Sequence, residues 1–335
     1  MTQEWWVAGG GDATRGAHPG RCRQNAGDRG DGGPAGGGLH GRARPARRRT
    51  RGRPQVVART GTPGGRLGPR REDRQRPAAR PHTGLEAADL VYVEPVEGGL
   101  SRLMAVYATR LPDRIGPVRS ARESDLELLR QFDTPTLAFS GAQRKLMPLI
   151  DQAPLRAEPA EEGSAAYVRD DGRAAPHNLY LRPGRLMSSA PGAEALTTGF
   201  RFGAAPSGGT AEDSHTVRYP AARFTFSWSG SRDRWLVAMD GEPAVTATGE
   251  RLAPATVVVQ YVDIRESGFR DFRGNNSPYV ETVGAGKAEV LRDGRAHAAT
   301  WQRPTATEGT AFRAADGSPM RFAEGQVWVV FAEAP

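Results

Sequence analysis

Lysine is almost missing from this chain: two, Lys145 and Lys287, stand against 44 arginines, a bias that points to a GC-rich gene. Cysteine is nearly as scarce. Cys22 is the single thiol, set in His-Pro-Gly-Arg-Cys-Arg-Gln without the apolar run of a lipoprotein cleavage site, so it says nothing about redox compartment. No run of about 18 apolar residues occurs, which leaves no expected membrane-spanning helix. The first residues lack the basic start, apolar core and cleavage site of a secretion signal. HExxH, CxxC, a Walker A loop and a strand-borne Gly-x-Ser-x-Gly are all missing. The six histidines (18, 40, 82, 177, 215 and 297) never fall at metal-ligand spacing. No metal and no cofactor is therefore expected.

What is present divides near residue 76. Residues 1–80 hold 18 Arg, no Lys and 6 acids, a net charge of +12, whereas the remaining 255 residues hold 28 bases and 32 acids, a net charge of −4. The basic balance of the whole chain is a property of its leader, and no nucleic-acid partner is expected of the rest. Residues 1–76 are rich in Gly, Arg and Pro and show no apolar periodicity, which predicts disorder. Two readings of this leader stand side by side. A basic arm can bind phosphates. Alternatively, the segment is out of frame: one codon choice for Arg71–Arg76, shifted by a base, spells Ala-Lys-Ile-Asp-Asn-Ala, a strand-like string. The shifted frame is the expectation adopted here.

From Pro77 onward two domains are expected, an α/β domain over 77–200 with a mixed sheet and helices, and a mostly-β domain over 215–335, with 201–214 as a Gly-rich linker. In the first, Ala88–Glu94, Leu100–Thr109 and Thr136–Ser140 read as strands, Ser120–Phe132 as an amphipathic helix started by Ser120, and Ala142–Ile150 as a shorter helix. In the second, Arg223–Trp228 and Trp235–Met239 form a hairpin, followed by Thr256–Val262, Ala288–Leu291, Ala298–Trp301 and Gln326–Phe331, as in a small sandwich or barrel.

Four polar segments beside turn formers are the candidate sites. They are Ala79–Leu85, which carries Arg80; Glu94–Arg102, with Glu94 and Glu97; Ile115–Arg122, with Arg119, Ser120 and Arg122; and Arg173–Tyr180, with His177 and Asn178. In the third, Arg119 and Ser120 enter the first turn of the expected helix, where free N–H groups favour an anion, and Arg119 and Arg122 are spaced to fork onto a carboxylate or phosphate. An ordinary N-cap with surface ion pairs fits the same residues. Glu94 and Glu97 have the composition of an acid–base pair, and equally of a salt bridge to Arg102. His177 can act as acid, base or ligand, or as a hydrogen-bonded structural residue. Phe139-Ser140-Gly141 faintly matches a nucleophile position. Asp271–Pro278 is a polar loop that suits a sugar, a metal or plain turn chemistry.

Taken together, ARPHTGLEAADLVYVEPVEGGLSRLMAVY, IGPVRSAR, FSGA and RAAPHNLY resemble the YerB-like family of bacterial envelope lipoproteins, the domain of unknown function 3048. VVVQYVDI, GNNSPYVETVGAG, AATWQRP and VWVVF resemble that family's C-terminal domain, so the likeness runs from about Pro77 to the end. The family carries Lys-Ile-Asp-Asn directly before its Ala-Arg-Pro, where this chain has Arg71–Arg76. The resemblance implies an exported protein tethered by a lipidated cysteine, and it implies a location more than a reaction.

The expectation that follows is an extracytoplasmic envelope protein that binds an anionic envelope ligand or an envelope protein through Arg80, Glu94, Glu97, Arg119, Ser120, Arg122, His177 and Asn178. Membrane contact is expected only through a lipid anchor that the chain as written lacks. The alternative is an envelope hydrolase with Glu94 or Glu97 and His177 as acid and base and the arginines stabilising negative charge.

Overall fold

Strands dominate the architecture. In the computed structural model, residues 2–7 (as backbone), 79–161, 164–271 and 274–335 are described; the remainder of the expected leader lies outside them. In chain order the strands are β1 (Thr2–Val7), β2 (Leu90–Pro95), β3 (Ser101–Tyr107), β4 (Thr136–Phe139), β5 (Arg156–Pro159), β6 (Tyr167–Arg169), β7 (Leu179–Leu181), β8 (Arg201–Phe202), β9 (Thr210–Ala211), β10 (Ser214–Tyr219) and β11 (Ala222–Ser229). They continue with β12 (Arg234–Met239), β13 (Glu242–Pro243), β14 (Thr256–Val262), β15 (Ile264–Arg270), β16 (Asn276–Val280), β17 (Gly284–Arg292), β18 (Arg295–Arg303), β19 (Ala311–Ala314), β20 (Arg321–Phe322) and β21 (Val327–Glu333). Two short α-helices, α1 (Glu123–Leu129) and α2 (Met147–Gln152), accompany them.

One mixed sheet of 11 strands organises the molecule, in the order β19-β18-β17-β14-β21-β2-β3-β1-β4-β5, with β9 added on β18. Its centre is apolar on both faces: Leu90–Val93, Leu103–Val106, Val257–Val259 and Val327–Phe331 are buried without a break, the pattern of strands covered on both sides. Successive side chains point to opposite faces. Val91, Leu103, Val257 and Trp328 therefore pack on one side with Phe224, Phe226 and Trp235, whereas Tyr92, Met104, Val258 and Phe331 pack on the other with Leu128, Leu129 and Ile150. The first side is covered by a four-stranded sheet, β10-β11-β12-β13, whose Phe226 ring meets Trp328 edge-on at 6.0 Å. The second side is covered by α1, α2 and an aromatic group of Phe200, Phe312 and Phe322. Each of these large buried side chains contributes roughly 1.5–3 kcal/mol.

Strands of both sequence segments join this one sheet. β21, the last strand, lies between β2 and β14 and runs parallel to both. The expected linker is tied in as well: β8 pairs with β20, β9 pairs with β18, and Arg292 donates to Gly203 O at 3.0 Å. The expected strands are present, as is the 223–239 hairpin, but the fold as a whole is mostly β, with less helix than the α/β expectation for 77–200. Two further expectations need correction. The leader does hold strand-forming sequence at its start, since Thr2–Val7 pairs with β3 and β4; Trp5, Trp6 and Val7 are strong β-formers. The first helix begins at Glu123 and not at Ser120. Arg119 O accepts from Ser140 N at 2.8 Å and Ala121 N donates to Gly141 O at 2.9 Å, so residues 119–121 spend their backbone groups on the loop after β4.

Charge is buried where this helix meets the sheet. Glu94 and Arg102 are cross-strand partners on β2 and β3, and their spacing from Tyr92 and Met104 turns them to the helical face. Arg102 Nη2 donates to Glu94 at 2.8 Å and also to Asp125 in the first turn of α1. The three side chains are 1 % or less exposed. Asp125 also accepts from Arg122 N at 2.6 Å, closing the start of the helix. Arg102→Met, which strands two buried carboxylates, is expected to lower unfolding free energy by about 3–5 kcal/mol in urea titrations. A loss below about 1 kcal/mol would show that the group behaves as a solvated surface pair.

Candidate functional site

Strand direction decides where the polar loops gather. β2, β4, β5, β14 and β21 all run the same way, through parallel pairs and the antiparallel steps across β3 and β1. Their carboxyl ends therefore lie along one edge, where ligands of open α/β sheets characteristically bind. Glu97 follows β2 at this edge, Ser140 and Gly141 follow β4, and the two-stranded ribbon β15–β16 follows β14.

Hydrogen bonds then join the loops to one another. Ile115 pairs with Leu181 and Thr83 with Gly116, and Val118 N donates to Leu179 O at 2.7 Å. This brings the Ala79–Leu85, Ile115–Arg122 and Arg173–Tyr180 segments side by side. Gly116 is required by the closeness of that approach, because a Cβ there would lie 2.5 Å from the Tyr180 ring. Arg119 donates to Pro176 O at 2.7 Å, and the hydroxyls of Ser120 and Ser140 stand 3.4 Å apart, both half-buried. Arg122 grips Glu97 with two donors, at 2.8 and 3.0 Å, and Ser277 of β16 donates to the same carboxylate. Burial opposes ionisation of Glu97, yet the hydrogen bonds and charge of Arg122, with Ser277, hold its carboxyl below the usual range. Gln143, after β4, donates to Arg270 O at the ribbon's turn.

His177 sits behind this edge. It is 7 % exposed, and its Nδ1 has no partner among the described residues. Burial, then the charge of Arg119, lowers its pKa to about 4, so the ring is neutral near pH 7. His82 is more deeply placed, 1 % exposed, and is lowered to about 3 by burial and then by Arg80.

The structure thus brings Glu97, Arg119, Ser120, Arg122 and His177 to one edge. Arg119 and Arg122 do not fork onto a shared point, since Arg122 is committed to Glu97 and Arg119 to Pro176. The anion site expected at the first turn of a helix begun by Ser120 is displaced with the helix start. Glu94 lies beneath the edge in its ion pair with Arg102. Among the described residues no hydrogen bond joins His177 to Glu97, whose carboxylate is held by Arg122 and Ser277. Arg80 lies aside, donating to Met239 O at 2.9 Å and Asp240 at 2.7 Å, and reaches the edge through Arg173, which donates to Arg80 O and to the Tyr180 hydroxyl. Asn178 Oδ1 accepts from Arg169 at 3.0 Å. In the Asp271–Pro278 loop, Asn275 bonds back to the Asp271 carboxylate, which is turn chemistry, and among the described residues no cluster suited to a metal ion occurs. Sequence reasoning did not place Ser277 or Gln143 at the site. Ser277 lies 180 residues from Glu97, and nothing local marks a serine as a partner across that distance.

A mostly-β body whose polar loops meet at the carboxyl edge of a mixed sheet is the class of protein this is. The chain belongs to the family described as protein of unknown function DUF3048, whose N-terminal domain matches residues 74–196 and whose C-terminal domain matches residues 215–329. It is 24% identical over 277 residues to "Putative lipoprotein YerB" of Bacillus subtilis (strain 168), covering 76% of this chain and 77% of that protein. Its fold is similar to the crystal structure of the YerB protein from Bacillus subtilis, with a TM-score of 0.62 and 19% identity over 77% of this chain and 88% of that one.

The two buried histidines give the fold a pH dependence of definite sign. Both folded pKa values lie below the free value of 6.5, so the unfolded chain takes up protons first as pH falls. Stability is complete above pH 6.5 and is lost progressively toward pH 4 for His177 and toward pH 3 for His82, each by up to about 1.4 kcal/mol per pH unit. Urea titrations between pH 7 and 4 check this: His177→Gln is expected to flatten the slope, and an unchanged slope counts against a buried neutral imidazole.

Proposed function

We propose that the protein works outside the cytoplasm, in the cell envelope, by binding an anionic ligand such as a wall-polymer fragment at the carboxyl edge of its sheet. The observation that carries this reading is the meeting there of Arg119, Ser120 and Arg122 with Ser140 and with the Nδ1 of His177, which has no partner among the described residues. A guanidinium, two hydroxyls and a neutral imidazole supply donors and an acceptor suited to a carboxylate or phosphate with a polar backbone. The description of the Bacillus subtilis relative as a lipoprotein supports the location, and the described residues contain no helix long and apolar enough to cross a membrane. Glu94 and Glu97 are both held in ion pairs, which favours binding over acid–base chemistry.

Thermal shift and calorimetry with a panel of carboxylate- and phosphate-bearing wall fragments test the reading. A fragment is expected to raise Tm, with Arg119→Ala weakening its Kd about tenfold while leaving the unliganded Tm close to wild type. Binding that Arg119→Ala does not change, or a panel that never binds, removes the proposal. Consumption of a fragment by the folded wild-type protein transfers the site to hydrolysis.

A further inference from the structure

The opposite edge of the sheet holds a second basic site. β3 runs antiparallel to β2, so the turn that follows β3 emerges away from the loop edge described above. Together with the turn after β7 it encloses an open groove of about 510 Å³, lined among others by Arg110, Arg182, Arg185, Ser188, Ser189 and Asp113. That size is within the range of small-ligand sites. Three guanidiniums face one carboxylate, and all four of these side chains are exposed. The guanidiniums of Arg182 and Arg185 have no hydrogen-bond or ion-pair partner among the described residues, which sets them apart from those of Arg102, Arg122 and Arg303, all held by protein acceptors.

Both walls are held in place without a ligand. The Asp89 carboxylate accepts from Ala108 N at 2.6 Å, Thr109 N at 2.9 Å and the Thr109 hydroxyl, and Gly192 N closes on Ala108 O at 2.8 Å. Arg110 is steadied by donating to Glu86 O at 2.9 Å. On the other wall, Arg182 N donates to Ala166 O at 2.7 Å, and Arg185 N to Arg182 O at 2.9 Å. A groove with a fixed backbone, uncommitted arginines and two serine hydroxyls has the donor set of a phosphate site: planar forks for two phosphate oxygens and neutral donors for a third.

We infer that this groove is a second binding site, for a phosphate-bearing ligand, separate from the carboxyl-edge site. The phosphate can belong to a free phosphorylated compound or to an anionic lipid headgroup, and the measurement separates these sources. The full chain is titrated with pyrophosphate by calorimetry and, separately, sedimented with vesicles of phosphatidylglycerol or of phosphatidylcholine. Since the leader is itself basic, the comparison is between Arg182→Glu/Arg185→Glu and an equal charge change elsewhere, Arg218→Glu/Arg232→Glu, at exposed positions on β10 and in the turn between β11 and β12. The groove variant is expected to bind about tenfold more weakly, with the distant variant close to wild type. Pyrophosphate binding with this pattern identifies a free phosphate as sufficient; binding confined to phosphatidylglycerol vesicles identifies a headgroup. Equal weakening in both charge-reversed variants, loss in Arg119→Ala alone, or no binding of either probe overturns the inference.

Discussion

The burial of Arg102 is the constraint on which the rest depends. Its guanidinium is shared between Glu94 on the neighbouring strand and Asp125 at the start of α1, with all three side chains closed to solvent. A buried charge without its partners is severely destabilising, so helix, strand pair and loop edge must form together. That demand, together with the hydrogen bonds of residues 119–121 to the loop after β4, fixes where α1 begins. It also fixes where the chain between β3 and α1 can run, and that run is the stretch carrying Arg119, Ser120 and Arg122.

The same device recurs, and it explains a use for the extreme preference of arginine over lysine. Arg303, fully buried on β18, donates to Glu308 O at 3.0 Å, to Glu127 O at 2.8 Å, to Ala306 O and to the Thr282 hydroxyl at 2.7 Å. It thereby satisfies the carboxyl end of α1 from the other half of the sequence. Arg122 binds Glu97 at two points, and Arg173 joins Arg80 and Tyr180. A lysine offers a point charge on a flexible stem, whereas a planar fork holds several acceptors at once. Whatever genetic bias supplied the arginines, the folded protein uses them as cross-links between segments far apart in sequence.

The organisation of the two edges follows from strand direction. Parallel placement of β2, β14 and β21 puts the loops after them on one side, and antiparallel β3 sends its following turn to the other. One edge is dense with committed side chains, and the opposite one holds Arg182 and Arg185, whose guanidiniums have no partner among the described residues. A sheet shared by both family segments makes the carboxyl edge a composite of N-terminal and C-terminal residues, as the Glu97–Ser277 contact shows.

The sequence by itself determined most of the strands, because their signal is local: the apolar runs at Leu90–Val93, Thr256–Val262 and Val327–Phe331 allow little else. It also determined which segments are polar and turn-rich, and hence which loops were candidates, and the motifs that place the chain in its family. It could not determine that the last strand enters between β2 and β14, nor that 201–214 pairs with β18 and β20, since pairing depends on partners distant in the sequence, 71 residues apart for Thr256 and Val327 and 237 for Leu90 and Val327. Nor could it show that Ser120 forgoes the helix start. The helix signal at Ser120 is local and favourable, but hydrogen bonds from Ser140 and to Gly141 compete for the same backbone, and they exist only once β4 is in place. At Glu94 the sequence left an acid–base role and a salt bridge to Arg102 side by side, because a carboxylate at a strand end reads alike whether it faces solvent or a buried guanidinium. Only the tertiary structure, through the desolvation that makes such a pairing obligatory, decided between them.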